Sequence, residues 1–186
     1  RIWLINVGGE GQLYIGAMLA TWGALTFSSL PAWFLLPLIF GLGFLGGGLW
    51  GSISGILRAR GWVSETISTL LLNYVAILLV DFLVFGAWKD PESANYPQTA
   101  EFVEAAVLPT LGSTRVHLGF VFALVSLLLF HFVLSRTRWG LEMRAIGNNP
   151  EAARRNGIPI ARYIVVLMFI GGGIAGLAGM CEVSAI

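Results

Sequence analysis

The chain has 186 residues, of which 56% are apolar and only 11% are charged, and its mean hydropathy is +0.80. A water-soluble domain cannot bury that much apolar surface, so the composition excludes an ordinary soluble protein and predicts an integral membrane protein. The 11 basic and 10 acidic residues nearly cancel and no Lys/Arg-rich run occurs, so the charge does not indicate binding to nucleic acid. Both ends of the chain fall in apolar sequence, and we therefore expect a piece of a longer protein.

Five apolar stretches are long enough to be membrane-spanning helices. A helix rises about 1.5 Å per residue and needs about 20 residues to cross ~30 Å of hydrocarbon. No strand-like alternation runs through these stretches, and in lipid a helix satisfies its own backbone hydrogen bonds. We predict an all-α fold, a polytopic bundle of transmembrane helices. The predicted spans are Gln12–Phe27, Ala32–Leu57, Ile67–Trp88, Val116–Leu134 and Ile164–Cys181.

The basic residues predict the orientation, because Lys and Arg are retained on the cytoplasmic side of short loops. The loop 136–162 carries six arginines against two glutamates, whereas the loop 89–115 carries two basic and four acidic residues. We predict that the first loop is cytoplasmic and the second external. The turn that contains Arg58 and Arg60 then falls on the cytoplasmic side, in agreement with the same rule.

Glycine is abundant, and its spacing predicts close helix contacts. Four glycines of the second predicted span recur every fourth residue and form a small-residue stripe that another helix backbone can approach. They are Gly43, Gly47, Gly51 and Gly55. A further glycine-rich run begins at Gly171, and it fits a similar packing seam and an unwound helix segment equally well.

The segment Asn6–Gln12 interrupts the apolar sequence with three glycines and three polar side chains. Each glycine costs about 1 kcal/mol in a helix interior, and an ionisable residue at membrane depth is expensive unless it faces protein or water. We predict a broken helix near the N-terminus, where Asn6, Glu10 and Gln12 line a cavity and bind a polar solute. The alternative is an aqueous entry to the first span, with Glu10 favoured by the dipole of a helix start.

Two further polar residues are predicted solute contacts, Asn73 and Glu182. Asn73 follows Glu65, at the predicted membrane edge, by about eight residues, or ~12 Å of helix. It fits a solute contact and an interhelical hydrogen bond equally well. Glu182 resembles Glu10 in chemistry, and we expect it to share the same cavity.

Catalytic, metal and cofactor sites are not predicted. The two histidines stand alone, without the spacing of a metal site, and the serines have no histidine at a recognisable catalytic spacing. An intramembrane hydrolase is therefore a remote alternative. The chain also lacks a GxxxxGK[ST] phosphate loop, so any ATP that drives its function must bind to another chain.

A short helix is predicted inside the cytoplasmic loop. The segment has an Asn that can cap a helix start, a Pro suited to the first position, a Glu that complements the helix dipole and a Gly that can end the helix. Such a helix is only ~10 Å long and marginal alone in water, so we expect it to need a partner surface. The residues of this unit are Asn149, Pro150, Glu151, Ala152, Ala153 and Gly157.

Two motifs resemble a known family. The segment Gly147–Ile158 is similar to the GxNPxAAxxxGI signature in the coupling loop of bacterial ABC importer permeases of the branched-chain amino acid and ribose superfamily. Asn6–Gln12 resembles the NxGxEGQ segment of the nucleoside (simple sugar) branch, as do Leu72–Tyr74 and Trp88–Pro91. The family has about eight to ten spans, so five spans agree with a partial chain. The resemblance implies that residues 1–186 are part of a single permease domain, with 136–162 as its coupling loop.

The resemblance also implies a function and partners. The chain would be the permease subunit, not an enzyme itself, of an ATP-driven importer that carries a small polar solute, a nucleoside, across a bacterial cell (inner) membrane. The implied partners, besides the lipid bilayer, are cytoplasmic ABC ATPase subunits on the coupling helix, a second permease subunit and an extracytoplasmic solute-binding protein. A permease for a sugar or a branched-chain amino acid stays open, and an ion-coupled secondary transporter is a more distant alternative.

Overall fold

The computed structural model describes residues 4–91, 93, 96–110, 112 and 116–185. Within these residues the regular elements are helices, which confirms the all-α prediction. The helices are α1 Gly9–Thr26, α2 Ala32–Ala59, α3 Glu65–Phe85, α4 Gly119–Arg136, α5 Arg138–Asn148, α6 Pro150–Arg155 and α7 Ile160–Val183, and a 3-10 turn lies at Glu104–Ala106.

The five predicted spans correspond to α1, α2, α3, α4 and α7, with ends shifted by about one helical turn or less. Among the described residues, four helices are long and apolar enough to cross a membrane, namely α2, α3, α4 and α7. The 18 residues of α1 are less apolar, because they include Glu10, Gln12 and two threonines.

The helix α5 was not predicted, and it occupies the first part of the cytoplasmic loop. The side chain of Thr137 caps it, since Oγ1 accepts a hydrogen bond from the N–H of Gly140 at 3.2 Å. Met143 and Ile146 are buried on one face of α5. Together with Trp139 they have the i, i+4, i+7 spacing of an amphipathic helix, a signal that the sequence contains but that the charge pattern of the loop obscured.

Three helices, α1, α2 and α7, form the core of the bundle, and glycines allow their backbones to approach closely. Gly43 and Gly47 of α2 both lie against Gly176 of α7, and Gly47 also lies against Gly172. A Cβ atom at Gly47 would overlap the α7 backbone, so the contact requires glycine. The predicted stripe is thus confirmed, and α7 is continuous through Gly171, so its glycines form a packing seam and not an unwound segment.

The helices α1 and α7 run in the same direction and opposite to α2. Gly16 of α1 lies against Gly176 of α7, and Ala20 and Ala24 further along α1 belong to the same buried cluster as Met180 further along α7. The helix α3 packs on α1 and less extensively on α2. The end of α2 lies beside the start of α7, where Gly55 contacts α7, so both ends fall on the side that the arginines predict to be cytoplasmic.

Candidate functional site

The polar segment before α1 is irregular and lies deep in the bundle. Residues 4–8 are not helical, and α1 begins at Gly9. Near this start Gly11 contacts Asn73 of α3, and the Gln12 amide lies close to Gly51 of α2. Asn73 and Gly51 are each eight residues from the predicted cytoplasmic end of their helix, so α1 begins ~12 Å inside the bundle. Non-helical backbone at this depth needs partners within the protein.

Asn73 supplies two of these hydrogen bonds. Its Nδ2 donates to the carbonyl oxygen of Val7 at 3.0 Å, and its Oδ1 accepts from the N–H of Gly11 at 2.8 Å. One turn earlier on α3, Thr69 Oγ1 accepts from the N–H of Val7 at 3.2 Å. The N-cap of α1 is Gly8, which has no side chain, so α3 satisfies the helix start from outside. Of the two roles left open for Asn73, the structure contains the interhelical hydrogen bond.

The amide side chains of Asn6 and Gln12 bind each other. Asn6 Nδ2 donates to Gln12 Oε1 at 2.9 Å, and Gln12 Nε2 donates to Asn6 Oδ1 at 3.1 Å. Asn6 Oδ1 also accepts from the N–H of Gly8 at 3.0 Å. Gln12 is only 2% exposed, whereas Asn6 is exposed. The pair therefore fixes the shape of the segment, and Asn6 is the member that a solute can reach.

The two glutamates predicted to share a cavity lie at different levels of the bundle. Glu10 is exposed in the first turn of α1, where the helix dipole favours a carboxylate. Glu182 is in the last turn of α7. Because α1 and α7 run in the same direction and Gly176 and Gly179 lie against Gly16 and Ala17, Glu182 is ~15 Å from Glu10 along the axis. The geometry thus separates Glu182 from the other four residues. With His117, Glu182 lines a groove of about 480 Å³ between α4 and α7.

The helix α6 has the predicted start and end. Asn149 Oδ1 accepts a hydrogen bond from the N–H of Ala152 at 3.0 Å, and Pro150 is the first helical residue. The chain leaves the helix after Arg155 and reaches Gly157, whose φ of +78° lies in the left-handed region that glycine adopts readily. The predicted short helix is confirmed.

The two neighbouring alanines of α6 face different surroundings. Ala153 is 4% exposed and belongs to a buried cluster with Met143 and Ile146 of α5 and Tyr163 of α7. Ala152 is exposed. The sequence gives no reason to distinguish these two alanines. In the structure Ala153 packs inside the chain, whereas Ala152 lies on the outer surface.

A hydrogen-bonded polar group at the start of α7 was not predicted from the sequence. The Tyr163 hydroxyl donates to Glu142 Oε2, and Arg138 Nε donates to Glu142 Oε1 at 2.9 Å. The hydrogen bond from Tyr163 and that from Arg138 lower the pKa of the Glu142 carboxyl, because both stabilise its ionised form. The Trp139 ring stacks on the Tyr163 ring with centroids 5.8 Å apart. Glu142 and Tyr163 are 21 residues apart in different helices, so no spacing rule connects them.

The family model described as "Branched-chain amino acid transport system / permease component" matches residues 1–186. The chain belongs to this permease family. The resemblance carried by the coupling-loop motif and the segment Asn6–Gln12 is thereby confirmed. No solved structure gives a significant match.

Relatives of this permease differ in the solute that their names give. It is 36% identical to a glucose ABC transporter permease protein of Haloferax volcanii, over 97% of this chain and 50% of that protein. It is also 36% identical to a guanosine ABC transporter permease protein of Bacillus subtilis, over 98% of this chain and 53% of that protein. It is 28% identical to a nucleoside ABC transporter permease protein of Lactococcus lactis, over 97% of this chain and 52% of that protein. The chain thus spans about half the length of these relatives.

Replacing Asn73 with Ala should loosen the start of α1. The change removes the partners of the Val7 carbonyl and the Gly11 N–H, and an unpaired buried group costs about 1–3 kcal/mol. We expect amide hydrogens of residues 4–12 to exchange about tenfold faster, measured by hydrogen–deuterium exchange with mass spectrometry. Leu71→Ala, at an exposed position of the same helix, is the control and should leave this exchange unchanged. Unchanged exchange in Asn73→Ala, combined with weaker solute binding, would contradict the structural role and favour direct contact with solute.

Proposed function

We propose that this permease is the membrane-spanning subunit of an ATP-driven importer and moves its solute without chemical change. The observation that carries the proposal is α6, a capped helix at the predicted cytoplasmic side with one face buried in the chain and the other exposed. Four apolar helices support a multi-pass location in the membrane, for which we propose the bacterial cell (inner) membrane. ATP hydrolysis is assigned to partner chains, in line with the absence of a phosphate loop in this sequence.

The exposed face of α6 is proposed to dock on a cytoplasmic ABC ATPase subunit. A helix of six residues is marginal alone, and here the packing of Ala153 on α5 holds it to the rest of the loop. Its outer face combines the small Ala152 with the charges of Glu151 and Arg155, whose side chains form an ion pair at 3.4 Å. A small apolar residue beside charges suits a protein surface that approaches the helix closely. The complete transporter would also contain a second permease subunit and an extracytoplasmic solute-binding protein.

The proposed solute is a nucleoside. Two of the three relatives above carry guanosine or nucleosides by name, and Glu10 and Asn6 place an exposed carboxylate and amide beside the start of α1. A carboxylate accepts hydrogen bonds from ribose hydroxyls, and an amide both donates and accepts. A sugar is the second candidate, because the glucose permease relative has the same 36% identity as the guanosine permease relative.

The proposed mechanism is alternating access. ATP binding and hydrolysis in the partner subunits would move α6, and tilting of the spans would open the polar region at the start of α1 first to the outside and then to the inside. The glycine contacts keep α1, α2 and α7 together as a unit during such a motion. Hydrogen bonds to Thr69 and Asn73 hold the irregular segment 4–8 to α3. We propose that these hydrogen bonds change partners during transport, while the close glycine contacts between α1, α2 and α7 stay in place.

Replacing Glu10 with Gln should weaken nucleoside binding and spare assembly. The side chain keeps its size but loses its charge, and a hydrogen bond to a charged group contributes about 1 kcal/mol more than one to a neutral group. We therefore expect an apparent affinity for guanosine about fivefold lower in competition uptake assays. Glu182→Gln removes the matching charge ~15 Å away along the axis and should have the smaller effect. Equal affinities for wild type and Glu10→Gln would make Glu10 a structural residue.

Replacing Ala152 with Asp should block coupling to the ATPase. The new charge lies on the exposed face of α6, so the chain should still insert and fold, while uptake and solute-stimulated ATP hydrolysis should fall by at least about tenfold, as one unpaired charge in an interface costs several kcal/mol. Uptake and ATPase assays on the reconstituted transporter measure both effects.

Ala152→Ser is the matched control, since it keeps a small neutral side chain. Ala153→Asp is a poorer test because Ala153 is buried and its replacement would disturb the packing of α5. Normal uptake by Ala152→Asp would rule out docking through this face.

A further inference from the structure

The side chain of Tyr163 connects α7 to the unit formed by α5 and α6. The helices α5 and α6 pack on each other, whereas the backbones of α6 and α7 make few close approaches. Among the described residues of α7, Tyr163 belongs to the buried cluster that contains Met143, Ile146 and Ala153 of α5 and α6. Its ring is 6% exposed and stacks on Trp139, also in α5. Ile160 and Leu167 of α7 also pack against this cluster, so apolar contacts, the stacked ring of Tyr163 and the short chain segment 156–159 join the α5–α6 unit to α7.

The hydroxyl of Tyr163 fixes the geometry of the contact between α7 and α5, because it forms a hydrogen bond with Glu142. It donates to one oxygen of the Glu142 carboxylate, while Arg138 donates to the other oxygen at 2.9 Å. A ring packed among apolar side chains can slide or rotate, but a hydrogen bond to a carboxylate fixes both distance and angle. The ion pair with Arg138 keeps Glu142 in place as the acceptor.

The other end of this connection is the core of the bundle. Tyr163 lies in the first turn of α7, and the same helix continues to Gly172 and Gly176, which contact α2 and α1 backbone to backbone. At the level of Gly172, α2 presents Gly51, which lies close to the Gln12 amide at the start of α1. A displacement of α7 at Tyr163 is therefore passed to the polar segment through contacts that have little freedom to adjust.

We propose that the hydrogen bond from Tyr163 to Glu142 makes α7 move with the α5–α6 unit, so that both side chains are positioning residues for transport. The proposal rests on the proposed docking of α6 on an ATPase. Without the hydrogen bond the α5–α6 unit still docks and still responds to ATP, but α7 follows it less completely. The variant transporter then hydrolyses ATP without moving the corresponding amount of solute. Loss of docking differs from this, because it removes the stimulation of ATP hydrolysis as well.

The test compares solute transport with ATP hydrolysis in the complete transporter, reconstituted in vesicles with labelled guanosine as the solute. Tyr163→Phe keeps the ring and its stacking on Trp139 and removes only the hydroxyl. We expect about a fivefold fall in guanosine molecules moved per ATP hydrolysed, with the binding-protein-stimulated ATPase rate unchanged. Glu142→Gln retains an uncharged acceptor and should give a smaller fall, and the double variant should be no worse than Tyr163→Phe. Tyr96→Phe, which removes a hydroxyl from an exposed side chain in the loop before α4, should leave the ratio unchanged.

If Tyr163→Phe moves as much guanosine per ATP hydrolysed as the wild type, the proposal is wrong. If Tyr163→Phe does not assemble, Glu142→Gln takes its place: a lower ratio of guanosine to ATP supports the proposal, and a wild-type ratio contradicts it. A wild-type ratio in Tyr163→Phe together with a loss of ATPase stimulation in Ala152→Asp would reject the link and leave docking intact. Wild-type behaviour of Ala152→Asp would instead reject the docking on which the link depends.

Discussion

The backbone contact between α2 and α7 fixes the positions of the other parts of the bundle. At Gly47 and Gly176 no side chain separates the two helices, and Gly16 brings α1 to the same point of α7. Lipid tails are as apolar as the helices, so close van der Waals packing, and not burial from water, holds such helices together. Because Gly176 serves both contacts, α1, α2 and α7 cross in one region, and the relative heights of their ends follow from that crossing.

Two regions of functional interest are placed by this crossing. It sets the start of α1 ~12 Å inside the bundle, where Asn73 satisfies the irregular backbone, and it sets the start of α7 at the predicted cytoplasmic edge, where Tyr163 meets the α5–α6 unit. The helix α7 joins the two regions, since Met168 and Gly172 lie beside Gly51 and Gly51 lies beside the Gln12 amide. The proposed transport mechanism uses this continuous series of contacts from the α5–α6 unit to the polar segment.

The sequence predicted features that depend on local pattern, and it failed where the features depend on tertiary arrangement. Apolar length identified the long helices, and the Asn-Pro start with a later Gly identified α6. The glycine stripe predicted a close neighbour without naming α7. The short amphipathic α5 was hidden by the charges of its loop, and the different surroundings of Ala152 and Ala153 require the position of α5. The predicted topology already implied that α1 and α7 run in the same direction, but the distance between Glu10 and Glu182 also depends on the continuity of α7 through Gly171, which the sequence left open.

Uptake by the complete transporter in sealed vesicles tests the proposed ATP-driven import of a nucleoside most directly. Labelled guanosine is supplied with the solute-binding protein on one side and ATP on the other, with no ion gradient, and unlabelled guanosine or glucose is added as competitor. We expect accumulation that requires ATP, that excess unlabelled guanosine abolishes and that excess glucose leaves unchanged. Accumulation driven by an ion gradient without ATP would contradict the proposed class of transporter, and ATP-dependent uptake of labelled glucose in place of guanosine would contradict the proposed solute.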